Sequence, residues 1–140
     1  MRDAPLVVAV VIAALCAAST LSAQSAGDVE QASEPVLRQL AAFRANDYDL
    51  AYSFASEEIH SIFDRQGFEL MVKTGYPEIA DSARARIVER RVAPSGRVLL
   101  LLKIRGANGQ QVEALYEMVW ESGAWKINSV VARPDPGEEA

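Results

Sequence analysis

Between Arg97 and Arg133 hydrophobic and polar positions alternate with a period of two. Val98, Leu100, Leu102 and Ile104 oppose Leu99, Leu101, Lys103 and Arg105, and Val112, Ala114, Tyr116, Met118 and Trp120 oppose Gln111, Glu113, Leu115, Glu117 and Glu121. That repeat marks strands, because successive side chains leave a strand on opposite faces. Ser122-Gly123 is a two-residue hairpin signal, and a third run follows with Trp125, Ile127, Ser129 and Val131 on one parity. A tight loop there sets Trp120 against Trp125, Met118 against Ile127 and Tyr116 against Ser129. The preceding loop, through Gly106, Asn108 and Gly109, sets Ile104 against Val112, Leu102 against Ala114 and Leu100 against Tyr116. One sheet face thereby collects nearly all the large apolar groups.

Upstream the period changes. Ser33-Glu34-Pro35 reads as a helix start with Ser33 as N-cap, followed by Val36, Leu37, Leu40, Ala41 and Phe43 at helical spacing. Asn46 and Asp47 interrupt and recap, and Tyr48, Ala51, Tyr52 and Ala55 form the stripe of a second helix. Ser56 with Glu57 and Glu58 opens a third, whose inner face is Ile59, Ile62 and Phe63, since acids favour the positive end of a helix dipole. Asp64 caps a fourth through Phe68, Met71 and Val72, with Gly75 expected in the left-handed conformation after it. Tyr76-Pro77 is expected to be extended. Ala83 to Val92 reads as a strand whose inward parity is open, because both parities mix charged and apolar residues. The order predicts an α+β fold, with three or four N-terminal helices covering one face of a four-stranded antiparallel meander.

The N-terminus changes the picture of where the domain begins. Arg2, the apolar run from Leu6 to Ala18, and Ser19 to Ala23 follow the order of a secretory signal, with cleavage expected after Ala23. The alternatives are an uncleaved N-terminal membrane anchor, for which the apolar run is short, and lipidation at Cys16, where Leu15 stands in place of a small residue. The expected organisation is a signal over residues 1–23, one domain over residues 24–133 and a disordered tail over residues 134–140. The chain of 140 residues has a single cysteine, Cys16, so the processed domain holds no disulfide and depends on its core.

The net charge is −5, which argues against nucleic acid as a partner. The charge is also segregated. Gln24 to Asp81 carries eleven acids and four bases, whereas Ser82 to Arg133 carries nine bases and four acids.

Ala42-Phe43-Arg44-Ala45-Asn46-Asp47, Ala51-Tyr52-Ser53-Phe54-Ala55-Ser56, Phe68-Glu69-Leu70-Met71-Val72 with Gly75-Tyr76-Pro77, Ala114-Leu115-Tyr116-Glu117, and Gly123-Ala124-Trp125-Lys126-Ile127-Asn128 occur in that order. Together they resemble the uncharacterised bacterial domain-of-unknown-function family 4864 over nearly the whole processed chain. More loosely, the helix pattern and the Gly-x-Trp-Lys-Ile hairpin resemble the nuclear transport factor two-like and SnoaL-like superfamily. That resemblance implies a curved sheet wrapped around a helix, a cone-like, cystatin-like roll with a conical pocket. It carries over no catalytic residue, because family 4864 has no established activity, and the wider superfamily includes isomerases, hydrolases, and binding or assembly modules.

One histidine and no cysteine after processing argue against a metal site, and no nucleophile elbow or phosphate loop is present. No cofactor is expected. The candidate ligand-binding residues are Tyr52, His60, Arg86, Glu89, Leu100, Tyr116 and Met118. If Arg84, Arg86 and Arg90 face inward the pocket is basic and suits an anionic or amphiphilic small molecule; if Glu89 does, a buried acid becomes a candidate general base. Charge on a defended edge strand is the alternative for this run. His60 is either a pocket acid or base or a half-exposed helix histidine beside Glu57. The expected function is an exported small-molecule-binding or accessory module, with a small cone-fold isomerase or hydrolase using a pocket carboxylate as the alternative. On the other sheet face Leu99, Leu101, Leu115, Val119 and Val130 form an expected apolar row, a candidate homodimer contact, or a surface covered by one of the chain's own terminal segments.

Overall fold

The computed structural model describes residues 29–137. The expected export signal lies outside them, as do residues 138–140. Among the described residues, after the helical residues 29–31, five helices precede the sheet: α1 (Glu34–Arg44), α2 (Tyr48–Ser53), α3 (Glu57–Ile62), α4 (Arg65–Gly75) and the single turn α5 (Pro77–Ala80). Four strands follow, β1 (Ser82–Val92), β2 (Val98–Gly106), β3 (Gln111–Glu121) and β4 (Ala124–Pro134), in the spatial order β1-β2-β3-β4. The sheet is an antiparallel meander that stays open, with β1 and β4 as its edges. The α+β architecture is the expected one. Among the described residues no helix is long and apolar enough to cross a membrane.

Three of the helix starts are capped by the side chains that the sequence nominates. Asp47 accepts from Leu50 N–H at 3.1 Å, Ser56 from Ile59 N–H at 3.3 Å and Asp64 from Gly67 N–H at 2.7 Å. Each satisfies a first-turn donor that has no partner inside its helix. Ser33 differs: its backbone is helical, at φ −72° and ψ −30°, because residues 29–31 already turn as helix, and its hydroxyl accepts from Arg90 Nε at 3.3 Å. At the other end of α1, Arg44 donates to Ser82 Oγ at 2.9 Å, so α1 runs antiparallel to β1 across the inner face. Asn46 stops α1 in the left-handed region at φ 56°. Gly75 does not take that conformation. Tyr76 ends α4 instead, held at φ −138° and ψ 59° because a residue before proline is excluded from the helical region, and Pro77 then starts a new turn rather than an extended segment.

The β2–β3 register agrees with the alternation at every pair expected, including Leu100 with Tyr116, Leu102 with Ala114 and Ile104 with Val112. Ser122 and Gly123 both have positive φ, 50° and 79°, which is the turn that matches strand twist, and Trp120 lies opposite Trp125 as expected. Beyond Met118 and Ile127 the β4 register departs from expectation. Asn128 is an extra residue, a β-bulge, so Tyr116 pairs with Val130 rather than Ser129, and Leu115 with Val131 rather than Val130. Val130 and Ala132 consequently turn toward the helices and Val131 turns away.

Two bulges also settle β1, at Ala83 and Val88. Ala85 and Ile87 face the core opposite Ile104 and Leu102, and after the second bulge Arg90 and Val92 take the inward register opposite Leu100 and Val98. Arg84, Arg86, Glu89 and Arg91 lie on the outer face. The mixed parities in the sequence reflect a strand that changes parity midway.

The core lies between α1, α2, α4 and the inner sheet face, where Leu100, Leu102, Ile104, Tyr116 and Met118 are fully buried with Val36, Leu40, Phe43 and Phe68. The chain stays on the sheet past Arg133, further than a solvated tail would. Asp135 is buried, its amide donates to the Gln111 carbonyl at 3.0 Å and its carboxylate accepts from Gln111 Nε2 at 2.9 Å. The Gly137 amide, the Gln111 amide group and Lys103 together hold the Asp135 carboxyl below the usual carboxylate range.

Candidate functional site

Helices α3, α4 and α5 do not close completely over the β4 side of the inner face. They leave an apolar cleft of about 270 Å³. Ile59 comes from α3, Phe68, Met71 and Val72 from α4, Ile79 from α5, and Ile127 and Val130 from β4. The positions follow from local sequence: Phe68, Met71 and Val72 share one side of a helix by their three- and four-residue spacing. Ile127 and Val130 share a face only because the Asn128 bulge lies between them. Without that extra residue, position 130 would point outward.

Three polar residues at the cleft, Gln39, Tyr76 and Asn128, are engaged with the protein itself. Gln39 Nε2 donates to the Ala51 carbonyl at 3.1 Å, and the Tyr76 hydroxyl donates to the Val130 carbonyl at 3.1 Å. Asn128 accepts from Ser56 Oγ at 2.8 Å and donates to Glu117 Oε1 at 2.9 Å. Among the described residues no Asp, Glu, Lys, Arg or His lines the cleft. Such a surface can hold an apolar body with few polar groups. Among the described residues no group of three or more His, Cys, Asp and Glu could hold a metal ion.

The seven candidate residues read from the sequence are dispersed. Leu100, Tyr116 and Met118 lie in the sealed core and do not line the cleft. The Tyr116 hydroxyl has no hydrogen-bond partner among the described residues, and burial, with Tyr76 nearby, pushes its pKa well above the ordinary tyrosine value. Tyr52 stands behind the cleft wall, its hydroxyl donating to the Phe63 carbonyl at 2.6 Å and its ring 5.3 Å from that of Phe68. His60 is exposed, stacked on Tyr52 at 4.1 Å, with Nε2 donating to the Tyr52 carbonyl at 2.8 Å. Arg86 and Glu89 are on the opposite face of the sheet, Glu89 bonded to Arg91 at 2.6 Å with half its side chain exposed. Of Arg84, Arg86 and Arg90 only Arg90 takes the inward register, and Glu89 faces outward. Gln39, Met71 and Ile79 are cleft residues that the sequence reading passed over; Gln39 lies three residues after Val36 on the inner stripe, and that spacing could have found it.

The bulge supports a first expected outcome. Asn128→Leu leaves the fully buried Ser56 hydroxyl without its acceptor and removes a bond to Glu117, and an unpaired buried polar group costs roughly 1–3 kcal/mol. Urea unfolding should show a loss of that size with the slope unchanged.

Among known proteins, a family model described as "Domain of unknown function (DUF4864)" matches residues 23–140. No curated protein matches the chain.

Proposed function

The chain belongs to that family, whose description names no activity, and we propose from its geometry that it is an exported module binding a small apolar or amphiphilic molecule in the cleft between α3, α4, α5 and β4. The single observation that supports this reading is the apolar cleft, at which Gln39, Tyr76 and Asn128 are bonded internally. Ligand pockets are typically concave and mostly apolar, with a few polar groups that set orientation. The looser resemblance to nuclear transport factor two-like folds fits the same reading, since helices over a curved sheet leave a pocket there. Export rests on the order of charged, apolar and small residues from Arg2 to Ala23. The absence of any carboxylate among the described lining residues weighs against the enzyme alternative with a pocket carboxylate.

Native mass spectrometry of protein recovered from its own host tests the reading. A stoichiometric added mass that disappears on extraction with organic solvent, on a chain starting near Gln24, is the expected result. A bare chain that also fails to take up long-chain alcohols would contradict it.

The homodimer remains part of the proposal, with the contact row corrected to Leu101, Leu115 and Val131, which pair directly across β2, β3 and β4. Leu115 is 42% exposed and Val131 64% exposed. A twofold contact would set each row against its own copy. Sedimentation at tens of micromolar should show a dimer that Leu115→Glu converts to monomer with unchanged circular dichroism; a monomeric parent would contradict it.

A further inference from the structure

The hydrogen bonds already made by the polar groups at the cleft decide what a ligand would meet there. The Tyr76 hydroxyl gives its proton to the Val130 carbonyl, the Asn128 oxygen accepts from Ser56, and the Asn128 amide donates to Glu117. Ser129 is exposed, so water serves its hydroxyl. Gln39 is different. It lines the cleft from α1 and is 4% exposed, and its Nε2 donates to the Ala51 carbonyl on α2 at 3.1 Å. A carbonyl can only accept, so that contact fixes which end of the Gln39 amide faces α2 and leaves the side-chain oxygen as an acceptor. Among the described residues nothing donates to that oxygen.

The lining also sets the charge a ligand can carry. With no Lys, Arg or His among the described lining residues, a carboxylate drawn into the cleft would have no counter-charge, and with no Asp or Glu an ammonium would have none either. An unpaired charge out of water costs far more than an unpaired neutral group. Helices α3, α4 and α5 also belong to the acidic part of the chain, since Gln24 to Asp81 carries eleven acids and four bases. An anion is therefore disfavoured on approach as well as on entry. Hydrocarbon alone would fit the walls but would cover the Gln39 oxygen without a donor, and a buried acceptor left unpaired is penalised.

We infer that the cleft selects a neutral amphiphile whose head group is a hydrogen-bond donor, as in a long-chain alcohol, with that donor bonded to Gln39 Oε1, and that it discriminates against fatty-acid anions. The inference rests on the cleft being a ligand site and adds to it the chemistry of the head group. Ile59, Phe63, Met71 and Ile127 hold the chain of the ligand, and Gln39 sets its orientation. The Ala51 contact keeps the Gln39 amide in place before the ligand arrives, so little side-chain freedom is lost on binding.

The experiment loads the chain recovered from cells, and its Gln39→Leu variant, with the apolar dye N-phenyl-1-naphthylamine. The dye is then displaced by 1-decanol, by its isomer nonyl methyl ether, which has no donor, and by decanoate, at constant ionic strength and about pH 8, where the carboxylate is ionised. In the parent the alcohol should bind at least about fivefold more tightly than the ether, as expected when a buried acceptor is otherwise left unpaired, and at least about tenfold more tightly than decanoate. Gln39→Leu should cut the advantage of the alcohol over the ether at least about fivefold. The variant also gives up the Ala51 bond and should melt lower, so the comparison of the three ligands in the parent stands as a test without it. Alcohol and ether equal in the parent, decanoate as tight as the alcohol, or an alcohol advantage that persists in folded Gln39→Leu would overturn this inference while leaving the cleft as a ligand site. A parent that binds neither the dye nor the alcohol would overturn both.

Discussion

Replacing Tyr116 by alanine is expected to destabilise the domain by about 3–5 kcal/mol, the range for removing a large aromatic side chain from a packed core. Tyr116 is fully buried at the centre of β3, between Leu100 on β2 and Val130 on β4. The hydroxyl contributes little to that loss. It has no partner among the described residues, so Tyr116→Phe should leave stability unchanged or raise it by about 1 kcal/mol. A pH series separates the ring from the hydroxyl. Burial holds the folded pKa above the ordinary value, so the neutral form is favoured in the fold. Its contribution is fully present below the unfolded tyrosine pKa, about 10, and is lost as pH rises from there toward the folded value. Tyr116→Phe should abolish that part of the alkaline loss. A phenylalanine variant less stable than the parent at neutral pH would show that the hydroxyl is bonded in solution.

The second large effect concerns the cleft. Met71 is half-buried on α4 and contributes to the lining, so Met71→Trp places an indole in the space. With the apolar fluorescent probe N-phenyl-1-naphthylamine, affinity should fall at least about tenfold, equivalent to about 1.4 kcal/mol. Because the added ring enters open space rather than a sealed core, the melting temperature should change little. Equal affinity in parent and variant would place the probe elsewhere.

Strands β2 and β3 were legible in the sequence nearly to the residue, because each alternates cleanly and tight turns fix their partners. The caps at Asp47, Ser56 and Asp64 were legible for a similar reason: a short polar side chain directly precedes each helical stripe. Strand β1 was not, since bulges at Ala83 and Val88 change its parity and leave Arg90 and Ile87 facing the same way. The Asn128 bulge was also hidden. Val130 and Val131 are both apolar, so the pattern reads equally well in either register, and the contacts that fix the choice come from Ser56, 72 residues earlier. The cleft was the least legible part. Its walls come from α4, α5 and β4, which meet only through tertiary packing, whereas Leu100, Tyr116 and Met118 are the residues whose own strand pattern points inward. Inward on this sheet means sealed beneath α1 and α2, and the open space lies to one side, toward β4.

Methyl-selective nuclear magnetic resonance during titration with N-phenyl-1-naphthylamine is the most direct test of the cleft as a ligand site. Saturable shifts should concentrate on Ile59, Met71, Ile79, Ile127 and Val130, with the methyls of Leu102 and Ile104 in the sealed core and of Leu115 and Val131 on the outer face unmoved. Shifts confined to Leu115 and Val131, or no saturable shift at any concentration, would contradict it.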